Sequence, residues 1–338
     1  MKRIILVLCI AMVAVAMVSA RASQEESSEE AAATEVVNMR FAHYAAVDHA
    51  GNIAAQMFAD AVEERTGGAI HIDVFPNNEL GDPPSVLEAN VLGAIDMSLP
   101  TQGQLDKYNK KFAAVMLPFI FRDLEHAWAV LDGPFMEAVG PELEEEGLIF
   151  LSNWEWGFRN LTNSVHPINT PADVVGLKIR TPPEVQLAAA MAGLGAEVQQ
   201  IAWTELPQAL QQGVIDGQEN PVSVIYSNNL YELQPYLAMT MHVYNSMVHV
   251  MSKDVYDSLT AEQQQIIREE SVRAGNWMRQ TLAEADAHTI ELLEEAGMQV
   301  TWPDRTLFQA EMAAAWDEIR DYAGAENVDA FIEMANSL

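Results

Sequence analysis

Apolar and polar positions alternate over residues 37–43, the period-two pattern of a strand with one buried face. The spacing then changes. Ile53, Met57 and Ala61, with Ala54, Phe58 and Val62, form a helical stripe that stops at Gly67-Gly68. Alternation returns at 70–75 and is stopped by Pro76 and Asn77. Residues 85–92 read as a helix closed by Gly93, and 95–99 as a third strand. Strand and helix in turn predict a parallel sheet with helices on its faces. Helical patterns at 124–131 and 135–146 follow, then an apolar strand at 148–154.

The pattern restarts further on, with strands at 177–181 and 196–200 around a helix at 185–192. A helix at 204–212 leads into Ile215-Asp216-Gly217, completing a second α/β unit and hence predicting two lobes. Residues 260–295 are the longest proline-free helical stretch, opened by a Thr260/Gln263 capping box and followed by Gly297. At ~1.5 Å per residue it reaches ~50 Å, wider than one lobe, so either Gly275 bends it or it braces both lobes. Residues 300–302 read as a strand and 307–322 as an amphipathic C-terminal helix.

The N-terminus is patterned differently. Lys2 and Arg3 precede an unbroken apolar run over 4–18, then Ser19, Ala20 and Ala22. That order is the signature of a secretory signal peptide, expected at 1–22, and the run is short for a membrane span. Residues 23–36 are acidic and poor in large apolar side chains, which predicts a linker without a core of its own. The lone cysteine, Cys9, lies inside the apolar run, so no internal disulfide or CxxC pair is expected.

Charge narrows the function. The 338 residues carry 18 basic and 49 acidic side chains, a formal −31. Phosphate binding needs clustered Lys and Arg, so a nucleic-acid partner is not expected. No nucleophile elbow, HExxH or phosphate loop is present, and no histidines sit at i, i+4 with a carboxylate. No enzyme activity, metal or cofactor is therefore expected.

The informative stretch runs from Asn153 to Asn220. Arg180 ends a short apolar strand that Pro182-Pro183 stop at a sheet edge. A guanidinium at a strand's carboxyl end faces the crevice where α/β sheets bind ligands, and its planar fork matches a carboxylate. A structural salt bridge to one of the many acids explains the same residue equally well on spacing alone.

Several segments together carry a family resemblance: FADAVEERTG at 58–67, FPNNELG at 75–81, GAIDM at 93–97 and LPFIF at 117–121. GLKIR at 176–180, ALQQGVIDGQENP at 209–221 and YELQPY at 231–236 continue it. In order and spacing the chain resembles the solute-binding proteins of tripartite ATP-independent periplasmic (TRAP) transporters, the DctP-like family. The resemblance implies an α/β two-lobe periplasmic-binding-protein (Venus flytrap) fold with hinge strands and a long lobe-spanning helix. It divides the chain into lobe I, 37–156 plus 247–286, and lobe II, 157–246 plus 287–338. It also implies a monomeric periplasmic carrier that takes a small organic acid to TRAP membrane permease subunits.

The same resemblance assigns roles. Arg180 is to pair with the ligand carboxylate, with Arg159 and Asn220 on the same group and Trp203 over a ligand face. Tyr44, His49, Thr101 and Gln102 are to line the opposite wall. The segment EWGFRNLTNS at 155–164 looks like the subgroup that binds uronic and related sugar acids. There Glu155 would accept hydrogen bonds from sugar hydroxyls, and Trp154, Trp156 and Trp203 would stack on a pyranose, core packing being the other reading of the first two. A dicarboxylate, an ectoine-like zwitterion and an exported sugar-acid-processing enzyme remain open alternatives.

Overall fold

The computed structural model describes residues 36–338. The expected signal segment at 1–22, and the linker at 23–36 except its last residue, lie outside the described residues. The first lobe begins as its pattern predicts. Strand β1 (Val37–Ala42), helix Ala50–Arg65, β2 (Ile70–Phe75), helix Pro83–Val91 and the two-residue β3 (Met97–Ser98) follow in order. In the second lobe, β5 (Lys178–Thr181), helix Val185–Gly193, β6 (Glu197–Gln200), helix Leu206–Gln211 and β7 (Gly217–Asn220) repeat the theme.

Two strands that periodicity did not delimit join these halves. Strand β4 (Leu148–Asn163) continues nine residues past the expected end at 154, and the pattern places no strand at β8 (Tyr236–Ser252), although the resemblance implies hinge strands between the lobes. Both are buried along nearly their whole length because helices cover both faces, and a doubly covered strand shows no alternation. They pair antiparallel from Leu148–Ser252 to Asn163–Tyr236, with irregularities that include one between Glu155 and Gly157. The resulting sheet has the order β2-β1-β3-β8-β4-β7-β5-β6, with β9 (Gln299–Thr301) added to β8. One end of β8 therefore pairs with β3 of the first lobe, while the far end of β4 pairs with β7 of the second. Bulges bend and twist a strand locally, so these irregularities lie where the sheet passes between lobes.

The long helix spans Ala261–Glu295 without a break, and the Thr260/Gln263 capping box forms. It packs on helix Ala50–Arg65 of the first lobe, on β4, and on helix Val222–Ser227 of the second. Gly275 does not bend it. A Cβ there would lie 2.6 Å from Trp154 Cδ1 and 2.9 Å from the Asn153 carbonyl, so glycine lets the helix seat on β4.

The C-terminus differs from expectation. Beyond helices Arg305–Ala310 and Ala313–Ala323, a further helix Ala325–Asn336 packs on first-lobe elements, although 287–338 was expected with lobe II. Its apolar face explains this. Phe331 meets Phe135 and Phe121 edge-on at 5.3 and 6.0 Å, and the Ala335 carbonyl lies 2.7 Å from His126 Nε2.

Candidate functional site

A cavity of about 510 Å³ opens where the carboxyl ends of β5 and β7 face the start of helix Gln102–Leu105. Tyr44, Thr101, Arg159, Arg180, Trp203 and Asn220, all expected site residues, line it together. Strand β5 is internal, between β7 and β6, rather than at the sheet edge. Pro182-Pro183 end it where its last residues reach the cavity.

The two arginines of this wall differ sharply. Arg159 is buried and gives Nε and Nη2 to both carboxylate oxygens of Glu219, the Nη2 contact at 2.8 Å. Its Nη2 also donates to the Glu219 carbonyl at 2.7 Å and its Nη1 to Asn245 Oδ1 at 3.1 Å. Four of its five N–H groups are thus used, leaving one on Nη1. Facing this guanidinium, the Glu219 carboxyl lies below its ordinary range against the effect of burial. His242 Nε2 sits 3.4 Å from the same carboxylate.

Among the described residues Arg180 has no acidic partner. Its Nε donates to the Ile201 carbonyl at 2.8 Å, and its buried Nη2 has no hydrogen-bond partner. Burial lowers its pKa to about 10, opposed by the nearby Glu219 and Glu184 charges and reinforced by Arg159. Its guanidinium carbon lies 5.8 Å from the Trp203 ring. Asn220 Nδ2 donates to Gln218 Oε1 at 2.5 Å. The Tyr44 hydroxyl is buried without a partner, and its ring packs edge-on to Trp156 at 5.1 Å.

Four expected site residues do not line the cavity. The Glu155 carboxylate is instead held by Trp128 Nε1 at 2.6 Å, Tyr244 Oη at 3.1 Å and the Trp156 backbone N–H at 3.0 Å. Its next neighbour, Trp156, lines the cavity in its place. Trp154, expected to stack on a sugar, is fully buried and donates to Ser152 Oγ at 3.0 Å and the Ser271 carbonyl at 3.1 Å. His49 caps helix Ala50–Arg65, its Nδ1 accepting from the Gly51 N–H at 3.0 Å and its Nε2 lying 3.3 Å from Ser223 Oγ. Burial lowers its pKa to about 4, so the ring is neutral at pH 7. Gln102 Nε2 donates to Asn153 Oδ1 and Ser246 Oγ, tying its helix to β4 and β8.

Glu184 lines the cavity and was not anticipated. Its carboxylate reaches across to the first lobe, 3.3 and 3.4 Å from Thr101 Oγ1, and packs on Gly103, where a Cβ would lie 2.2 Å from Oε2. Burial raises its pKa to about 7. Only its position, just after the proline pair that follows Arg180, marked it in the sequence. A second contact across the cleft lies nearby: Asp106 accepts from Gln186 Nε2 at 2.9 Å and from the Tyr322 hydroxyl at 3.1 Å. No group of His, Cys, Asp and Glu suited to a metal ion occurs among the described residues.

Known proteins share this architecture. The pattern of the family described as bacterial extracellular solute-binding protein, family 7 (DctP) matches residues 41–321. The 2,3-diketo-L-gulonate-binding periplasmic protein YiaO of Escherichia coli is 34% identical over 285 residues, 84% of this chain and 86% of its own. A TRAP solute-binding protein from Sulfitobacter sp. NAS-14.1 with bound β-D-galacturonate superposes with a TM-score of 0.85 at 28% identity, covering 89% of this chain and 100% of that one. Another, from Sulfurospirillum deleyianum with bound succinate, superposes at 0.82 with 25% identity over 87% of this chain and 98% of that one. The two-lobe fold, the matched pattern and these relatives make this chain a member of the DctP family of TRAP solute-binding proteins, a family of transport proteins rather than enzymes.

Proposed function

We propose that this protein is exported to the periplasm by its N-terminal segment, captures a sugar acid such as a uronate between its lobes, and delivers it as a monomer to TRAP permease subunits. One observation carries the reading: a buried guanidinium, Arg180, lines a cavity of about 510 Å³ and, among the described residues, has no acidic partner and no partner at Nη2. A buried, unpaired cation is costly, and a carboxylate ligand removes that cost through charge-assisted hydrogen bonds worth ~1.5–3 kcal/mol each. Arg159 contributes its one remaining N–H, Asn220 a side-chain amide, and Trp203 and Trp156 flat apolar faces. Tyr44 and Thr101 supply hydroxyls from the first lobe.

The overall charge of −31 repels an anion only weakly at the contact, because exposed charges are screened beyond ~8 Å whereas buried groups are not. A simple dicarboxylate is the second reading, supported by the succinate-bound relative. A thermal-shift panel of uronates, aldonates, dicarboxylates, sulfonates and ectoines tests both. A ligand at a hundredfold excess over its dissociation constant stabilises by ~2.7 kcal/mol. The expected result is stabilisation by sugar acids, returned unaltered by mass spectrometry. Stabilisation by none of the acids would overturn the proposal.

A further inference from the structure

The carboxylate end of the cavity accounts for Arg180 but leaves Glu184 unused. Glu184 is 5% exposed, lines the same cavity, and has one hydrogen-bond donor, the Thr101 hydroxyl, at 3.3 and 3.4 Å from its two oxygens. An ionised carboxylate offers about four acceptor positions, so most of its capacity is unmet in a buried setting. Glu219, the other buried glutamate of this wall, is paired through both carboxylate oxygens with Arg159, has His242 Nε2 3.4 Å away, and does not line the cavity. No ion pair links Glu184 to either arginine; among the described residues its contacts run instead to Thr101 and Gly103.

We infer that Glu184 is a specificity-determining residue that accepts hydrogen bonds from hydroxyl groups of the bound acid, selecting polyhydroxylated monocarboxylates over dicarboxylates. This rests on the carboxylate-carrier reading above. With the ligand carboxylate on Arg180 and Arg159 paired with Glu219, Glu184 stands beside them as a buried carboxylate without a cationic partner among the described residues, and Asp82, Glu88, Asp106 and Lys107 are the other charged side chains that line the cavity. A second ligand carboxylate adds like charge to Glu184, whereas a hydroxyl supplies the donor it lacks. The groups that set its charge are Arg159, Asp106 and Glu219, with Arg180 and Tyr44 also within its field. Burial holds its pKa at about 7, which makes the discrimination dependent on pH near neutrality.

The test is titration calorimetry with D-galacturonate and fumarate on the wild type and on Glu184→Gln, at about pH 8 and about pH 6, where both ligands remain fully ionised. At the higher pH the wild type is expected to prefer D-galacturonate. Glu184→Gln, which keeps the size and removes the charge, is expected to reduce that preference by about tenfold or more. The preference of the wild type is expected to shrink at the lower pH and that of the variant to stay constant. The wild-type pH series needs no substitution, so it decides the matter even if the variant fails to fold. An unchanged preference in the variant, or a pH-independent preference in the wild type, overturns the inference while the carrier reading stands. If the wild type binds neither acid nor any other in the panel, both fall together.

Discussion

Two arginine–glutamate combinations sit side by side on the second-lobe wall, and the protein treats them in opposite ways. Arg159 and Glu219 are locked together by contacts to both carboxylate oxygens, and the Glu219 carboxyl is held low by the adjacent cation. Arg180 and Glu184, four residues apart in the chain, make no ion pair. Burial pushes the guanidinium down to about 10 and the carboxyl up to about 7. Identical chemistry thus gives a pair bound mostly to itself, with one Arg159 N–H left over, and an unpaired Arg180 and Glu184 that face the cavity. What distinguishes a structural charge from a binding charge here is the number of donors and acceptors already satisfied, not residue type or burial.

The sharpest test separates the two arginines by what each loss damages. Arg159→Ala leaves Glu219 buried without its partner and is expected to cost ~3–5 kcal/mol of stability, measured by urea unfolding. Arg180→Ala removes an unpaired buried cation, so its melting temperature is expected to hold or rise while binding weakens by ~3–5 kcal/mol in calorimetry. Equal loss of stability in both variants would erase the distinction. Replacing Arg159 and Glu219 together with Met and Leu sharpens it further. The double variant is expected to be more stable than Arg159→Ala by at least ~2 kcal/mol, since no charge is stranded.

The pH dependence should carry opposite signs at the two places. The native state holds the Glu184 proton up to about pH 7, whereas the unfolded chain releases it near 4.5. Its contribution to stability is therefore greatest at low pH and is lost as pH rises through that window, by up to ~3 kcal/mol. Glu155, also raised to about 7 by burial, acts in the same direction. Glu219 behaves in reverse: its contribution is present above the ordinary carboxylate range and is lost as pH falls through its lowered value. Between about pH 5 and 7.5, Glu184→Gln is expected to flatten the decline of unfolding free energy, and a slope equal to that of wild type would contradict this. The smallest effect is at Trp203, whose ring lies 5.8 Å from the Arg180 guanidinium carbon. Trp203→Ala is expected to weaken ligand binding by ~1 kcal/mol, about fivefold in calorimetry.

Much of this architecture was legible in the chain. The alternating run at 37–43, the stripe ending at Gly67-Gly68 and the Thr260/Gln263 capping box report local geometry, and local geometry follows from neighbours in sequence. Strand β8 and the second half of β4 were not legible, because a strand covered on both faces has no polar side to mark its period. Helix Ala325–Asn336 was missed as well, since it docks through Phe331 on residues some 200 positions earlier.

The site divides along the same line. The sequence pattern marked which arginines stand near strand ends, and seven of the eleven expected residues do meet around one cavity. Tertiary structure decided which of them are free. It turned Glu155 to Trp128 and Tyr244, gave His49 to a helix cap, paired Arg159 with Glu219, and brought Glu184 to Thr101 across the cleft. A side chain's hydrogen-bonding capacity is set by its identity, but how much of it remains unspent depends on partners that only the folded chain brings near.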